Sequence, residues 1–419
     1  MTVPATASRD NEAVARRRAI EALRSGVPSW DAVAMLGSGQ PEAEDRFTSL
    51  LDSLARGGPA LDRRGGAAPR GLLLGGGFGG GKSHLLTHFA HLAMSGGFAV
   101  STVVISKETP LHDPAKMFRS AITAAVGPGR GRGVLATAAA QLDPDTPRYA
   151  ELSRWVNSPA SGLDERFPAT LLCHERLRGG EMPSSDETSD ALVRFWGGDP
   201  IGMADLRRAL KSVGAAGLFS FSSVSARELA RQRFRFAAAL LRAAGLHGWV
   251  ILFDEVELIG RYSLLQRGRS YAELGRWLGG DDLVSEAPLA AVFAMTDDFE
   301  AAVLTGKNDS SELAGKLRAK LTPEWDETAT FAEAGMRRIE HDMLLLDPPD
   351  SAELDRTYHA LKQLHGAAYQ WAPPDVPGLE RLSATRMRQY VRAWINEWDL
   401  VRLDAGYQPD TVATNIASD

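Results

Sequence analysis

In the stretch GGGFGGGKSHLL, residues 75–86, Gly76, Gly81, Lys82 and Ser83 satisfy the spacing G-x-x-x-x-G-K-S. Residues of these types at this spacing suit the capture of a phosphate chain. A phosphate needs several backbone N–H groups close by, and glycine alone combines the tight backbone angles with the missing side chain. Gly75, Gly77, Gly79 and Gly80 are expected to keep the loop narrow, and Phe78 is expected at its outer tip, clear of the phosphates. Lys82 would reach the β- and γ-phosphates and Ser83 would set its hydroxyl on Mg²⁺, with His84 continuing the same binding segment. A mere glycine linker would require neither this lysine and serine, nor the strand-like run before them, nor the amphipathic helix after them.

A phosphate-bound Mg²⁺ needs an acid on the side opposite Ser83, at the end of another buried strand. Asp254, closing WVILFD, meets that need. Glu255 beside it is a carboxylate placed to orient or deprotonate water, which would turn nucleotide binding into hydrolysis. The plainer reading, an acidic pair capping a helix, loses weight once the glycine loop is in place. Thr296, with Asp297 and Asp298, ends a further apolar run, AAVFAM, where a polar group could hold the attacking water or the γ-phosphate; a turn-forming cluster explains the same residues.

These residues need a scaffold. GLLLGG is an apolar run of strand length, Leu85, Leu86, Phe89 and Leu92 recur at helical spacing, and FAVSTVVIS at 98–106 is β-branched and continuous, as in a buried parallel strand. With a helix around 114–125 this makes one βαβ unit. Between 128 and 235 strand signals fade into short helical patterns. GWVILFDEVELIG, PLAAVFAMTDD and HDMLLLDPP then restore strands alternating with helices, which predicts an α/β fold with a doubly wound parallel sheet. The expected organisation is N-terminal helices plus the first half of the core over 1–127, a largely helical insertion over 128–235, the second half over 236–350, a helical lid over 351–405 and a polar tail over 406–419.

The 419 residues suffice for two or three domains, and 44% hydrophobic with 24% charged residues fits a folded globular chain. No run approaches the roughly 20 apolar residues of a membrane span, and no secretory signal opens the chain, so a cytoplasmic protein is expected. Cys173 stands alone and cannot form an internal disulfide; packing in a core is its expected role. The net charge of −6 argues against wholesale wrapping of nucleic acid, while leaving room for a local basic face.

The order of glycine loop, Asp-Glu strand, polar strand tip and arginine-bearing helical tail resembles the AAA+ P-loop ATPases, particularly the origin-recognition and STAND-like branch. More narrowly, GGFGGGKSHLL, VVISKETPLHDP, FDEVELIGRYSLLQR, SYAELGRWLG and TRMRQYVRAWINEWD resemble the ATP-binding proteins of BREX phage-defence systems, of the BrxD type. The resemblance implies ATP and Mg²⁺ as ligands, Thr296 as the strand-tip sensor, and Arg338 or Arg337 as an arginine finger, with Arg318 a more distant candidate. It implies a nucleotide contact from Arg386 at the start of a lid helix, with Arg388 as its rival. It also implies that GSGQPEAEDRF, 37–47, lines the adenine pocket. A finger acts across a subunit interface, so self-association accompanies it; DNA and a helicase or other defence proteins are the partners the family suggests. A STAND-like switch with little turnover is the competing reading, lowered by the absence of long sensor repeats.

Other signals carry less. His84, His88 and His91 share a helix face at a spacing that could hold zinc, but no cysteine or acid joins them in sequence. RGRSYAELGRWLGG could be a nucleic-acid surface, although Tyr271, Leu274 and Leu278 at helical spacing fit inward packing. DEVE suggests a helicase, which would need a second motor domain for which the helical tail leaves no room.

Overall fold

The structure, a computed structural model, describes residues 5–27, 29–56, 71–178, 186–279, 287–376, 387–404 and 406–408. Three helices, α1 (Ala5–Ser25), α2 (Trp30–Leu36) and α3 (Pro41–Arg56), precede β1 (Gly71–Gly75). There follow α4 (Lys82–Ser95), β2 (Ala99–Val104) and α5 (Pro114–Ala124), which form the expected βαβ unit. Asp113 starts α5 by accepting hydrogen bonds from the amides of Ala115 and Lys116, with Pro114 in the first helical position, where its missing N–H costs nothing.

Helices α6 (Val134–Gln141), α7 (Pro147–Val156), α8 (Arg166–Arg178), α9 (Asp186–Trp196) and α10 (Met203–Ser212) fill the middle of the chain, and α11 (Ala226–Ala243) leads back to β3 (Trp249–Asp254). The segment is helical, and residue 235 lies inside the continuous helix α11. Val134, Leu152, Phe167 and Trp196 are buried in the same core as Phe253 and Phe293 of the sheet, so these helices pack onto the core.

Then come α12 (Leu264–Gly279), β4 (Leu289–Met295), α13 (Ala314–Arg318), α14 (Pro323–His341), β5 (Leu344–Leu345), α15 (Ser351–Tyr369) and α16 (Met387–Leu403). The five strands make one sheet in the order β2-β3-β4-β1-β5. All pairings are parallel, with Gly71–Gly75 opposite Ala291–Met295 and Trp249–Phe253 opposite Leu289–Phe293. Side chains alternate between two cores: Leu73, Ile251, Phe253 and Phe293 face one, Leu74, Val250, Leu252 and Val292 the other. Both faces are covered, which is why the strands read as unbroken apolar runs.

Three features depart from expectation. Gly75 closes β1, paired with Met295, instead of joining the loop. HDMLLLDPP yields only a two-residue strand, because Asp347 leaves the sheet to bond Gln40. The N-terminal helices are divided: α3 packs on the sheet, whereas Ala19, Ile20 and Ala32 of α1 and α2 share a core with Leu361, Tyr390 and Trp398 of α15 and α16. The helical cluster at the C-terminus is therefore built from both ends of the described chain.

Candidate nucleotide site

The C-terminal ends of parallel strands share one edge of a sheet, and the glycine loop emerges there from β1. Gly76 is tied to the neighbouring strand by its amide, which donates to Met295 O at 3.2 Å. Gly80 N donates to Gly77 O at 3.0 Å, closing the loop, and a Cβ on Gly80 would press on that same oxygen at 3.0 Å. Gly81 caps α4 with φ 94°, a left-handed conformation costly for any residue with a side chain. Phe78 is 67% exposed, at the tip of the loop as expected.

The first hydrogen bond of α4 runs from Leu85 N to Gly81 O. No described backbone group accepts from the amides of Gly77, Phe78, Gly79, Gly81, Lys82, Ser83 or His84. Such a helix N-terminus, ringed by free N–H groups, favours an anion. The Lys82 ammonium is buried and folds back onto the loop, donating to Gly76 O at 2.7 Å and Gly77 O at 3.1 Å. These groups fit a phosphate chain, which could take over the lysine from the two carbonyls.

Asp254 ends β3, is 9% exposed, and accepts from Glu255 N at 2.9 Å. Glu255 adopts φ 57° and ψ 35°. Left-handed backbone at a non-glycine residue costs on the order of 1–2 kcal/mol, and such strain clusters at functional sites. Thr296 follows β4, the strand between β1 and β3, so the loop, the strand tip and the acidic pair line up along one sheet edge. Asp297 brings a carboxylate oxygen to within 3.8 Å of where a Cβ would stand on Gly77.

Glu257 was not singled out from the sequence beyond its place in DEVE. Burial raises its carboxyl above the usual range; its own amide opposes this, the charge of Glu255 adds, Lys82 opposes and Asp254 adds. Lys82, Asp254, Glu255 and Glu257 thus share one electrostatic field. Ser83 Oγ and the Asp254 carboxylate are hard oxygen donors, the chemistry Mg²⁺ takes.

Beside Gly79, Gly80 and Gly81 opens a cavity of about 420 Å³, lined also by Gly37–Gln40, Glu353, Arg356 and Arg388. His84 reaches Gly37 O with Nε2 at 2.7 Å, and burial holds its imidazole below its ordinary pKa. Gln40 clamps the far wall: Nε2 donates to Asp347 O and Oε1 accepts from Asp347 N, both at 3.0 Å. The 37–47 segment expected to line an adenine pocket does border this cavity through Gly37, Ser38, Gly39, Gln40 and Glu44.

The arginines are dispersed. Arg388 of α16 lines the cavity, with its guanidinium 6.0 Å from the Phe78 ring centre. Arg386 lies outside the described residues. Arg338, in the last turn of α14, pairs with Asp342 at 2.6 Å and borders a depression with Gly71, the residue that starts β1, so it sits apart from its own chain's glycine loop. Arg318 is held bidentately by Glu333 at 2.7 and 2.8 Å.

The three histidines of α4 turn to separate neighbours: His84 to Gly37, His88 to Glu44 at 3.2 Å, and His91 to the Trp30 ring. Among the described residues no group of three or more His, Cys, Asp or Glu is placed to hold a metal ion, and no helix is long and apolar enough to cross a membrane.

No curated protein and no solved structure matches the chain. A family comparison does: residues 12–126, from α1 through the glycine loop to the end of the first βαβ unit, match the family model described as BREX system ATP-binding protein BrxC/D. The chain thus resembles the BREX ATP-binding proteins over the segment that carries its glycine loop, as its motif strings suggest.

Proposed function

We propose that the chain is a Mg²⁺-dependent P-loop ATPase of AAA+-like arrangement that serves a BREX-like phage-defence system, coupling turnover to remodelling of DNA or of a defence complex. The observation that carries this reading is the alignment of Lys82, Thr296 and Asp254-Glu255 along the edge formed by β1, β4 and β3. An Asp254-Glu255 pair on a strand not adjacent to β1, with a polar strand tip between, supports hydrolysis over simple retention of nucleotide.

In this reading the free loop amides and Lys82 hold the β- and γ-phosphates. Ser83 and Asp254 would hold Mg²⁺, which when bound neutralises charge developing on the phosphate oxygens. Glu255 accepts a proton from the attacking water, and Thr296 orients that water or the γ-phosphate from the neighbouring strand tip. Arg338 faces away from this site and would act on a second copy, as a finger acting across an interface must. Arg386, which lies outside the described residues, is proposed to contact nucleotide, with Arg388 the better-supported choice because it borders the cavity.

The test is phosphate release from Mg·ATP by the purified chain, alone and with DNA and companion defence proteins. Turnover that rises with DNA or partner supports the motor. Tight ATP binding with no hydrolysis under every condition would leave a nucleotide-gated switch as the better reading.

A further inference from the structure

Residues 350–353, DSAE, read as the start of a helix whose first and fourth residues cap each other, the serine-like cap accepting from the fourth amide and the glutamate reaching back. Half of that arrangement is present: Asp350 Oδ1 accepts from Glu353 N at 2.7 Å. The other half is not. Glu353 turns its carboxylate to Gly39, where a Cβ would collide with Oε1; Gly39 has φ +68° and leaves that space open. Glu353 borders the cavity beside the glycine loop, and no described residue donates a hydrogen bond to its carboxylate.

The neighbouring charges make the position informative. Burial, then the Asp350 charge, raise the Glu353 carboxyl above its usual range, Arg356 lowers it, and Asp347 raises it again. A cavity-facing carboxylate without a protein donor keeps its acceptor capacity for a ligand. A carboxylate is also a poor neighbour for a polyanion, so it does not serve the phosphates, which suit the loop amides and Lys82. What remains of a nucleotide beyond its phosphates is a ribose with hydroxyl donors and a base with N–H donors.

We propose that the Glu353 carboxylate accepts a hydrogen bond from the nucleoside part of the bound nucleotide and so sets which triphosphates the site prefers. The inference rests on the glycine loop being a nucleotide site. Gly39 leaves room for the carboxylate, and the Gln40–Asp347 clamp fixes the strand of chain it leans on.

Affinities of the wild type, Glu353→Ala and Glu353→Gln for ATP, 2′-deoxy-ATP, 3′-deoxy-ATP and purine riboside triphosphate, which lacks the 6-amino group, test this by competition against a fluorescent nucleotide. Glu353→Ala should weaken ATP by about 10-fold or more, the scale of one hydrogen bond to a charged acceptor. It should weaken by less than about 2-fold the one analogue that lacks the contacted donor, and this identifies ribose or base as the partner. Glu353→Gln, which keeps an acceptor oxygen and the helix cap, should recover part of the loss. An equal effect on all four nucleotides, or none, would overturn the proposal while leaving the loop's role intact. Failure of the wild type to bind any nucleotide more tightly than Lys82→Ala would overturn both.

Discussion

Arg388 of the last helix stands over Phe78 at the tip of the glycine loop, its guanidinium 6.0 Å from the ring centre. The contact joins the helical cluster built from both chain ends to the loop that would hold phosphate. Phe78 is thereby given a role that its exposure alone does not suggest: it parks a cationic side chain beside the cavity. A contact of this type at an exposed site is worth roughly 0.5–1 kcal/mol, little enough for a phosphate to compete for the same guanidinium.

Arg388→Ala should therefore lower ATP affinity by about 10-fold, the loss of one charge-assisted contact. Phe78→Ala removes only the parking contact and should leave affinity equal or slightly higher. Titration calorimetry with both variants separates the two; an equal loss in both would mean that the loop–helix contact itself, not a freed arginine, supports binding.

Lys82→Ala should abolish nucleotide binding, since it removes both the charge and the reach to the phosphates. Retained micromolar affinity in a binding titration would count against the phosphate loop.

Glu255→Gln should bind ATP normally and turn over more slowly by roughly 10²-fold or more, as for a lost general base. The substitution leaves backbone strain at φ 57° in place, so a stability change is not expected. Single-turnover measurement of phosphate release is the check; unchanged rates would move the water-activating role to another acid, with Glu257 first in line for its place in the same charge field.

Beyond the strand tip, two π-helical turns, Glu300–Thr305 and Asp309–Leu313, carry the chain away from Thr296. Asp309, 1% exposed, binds Arg267 through two contacts of 2.6 Å and accepts from Tyr271 OH at 2.9 Å. Asp309→Ala strands a buried guanidinium and should destabilise the fold by about 3–5 kcal/mol, read as a lower urea midpoint. Replacing Asp309 and Arg267 together with apolar residues of similar volume should recover much of the loss, because the pair's own net contribution is small.

The legible part of the molecule was the part that is local in sequence. The loop, the strand ending in Asp254 and Glu255, and Thr296 each sit within one strand and its following turn, so residue spacing alone places them. The two-residue β5 was not legible, because its truncation depends on Asp347 meeting Gln40, in the loop before a helix distant in sequence. Nor could the apolar stripe of α1 name its partner: Ala19 and Ile20 would suit the sheet as well as they suit α15 and α16. Glu353 was hidden for a different reason. Its sequence context is a satisfactory helix cap, and only Gly39, more than three hundred residues away, turns it into a cavity wall.

The middle helices carry a pH dependence of their own. His174 of α8 is 4% exposed, its ring centre 5.0 Å from that of Trp196, and burial, with Arg178 adding, lowers its pKa to about 4 from 6.5. The unfolded chain then binds the proton more readily than the folded one between those two values. Stability from this group is complete above pH 6.5 and is lost progressively as pH falls toward 4, by an amount on the order of 3 kcal/mol. Neighbouring Cys173 is fully buried and its thiol is pushed up to about 11 by the same burial, so alkylation of that thiol reports the opening of this helix. His174→Phe should flatten the acid limb of the stability curve, and iodoacetamide should label Cys173 faster in the wild type at pH 5 than in the variant, once rates are corrected for the thiolate fraction. A pH profile identical in both proteins would place the acid-sensitive group elsewhere.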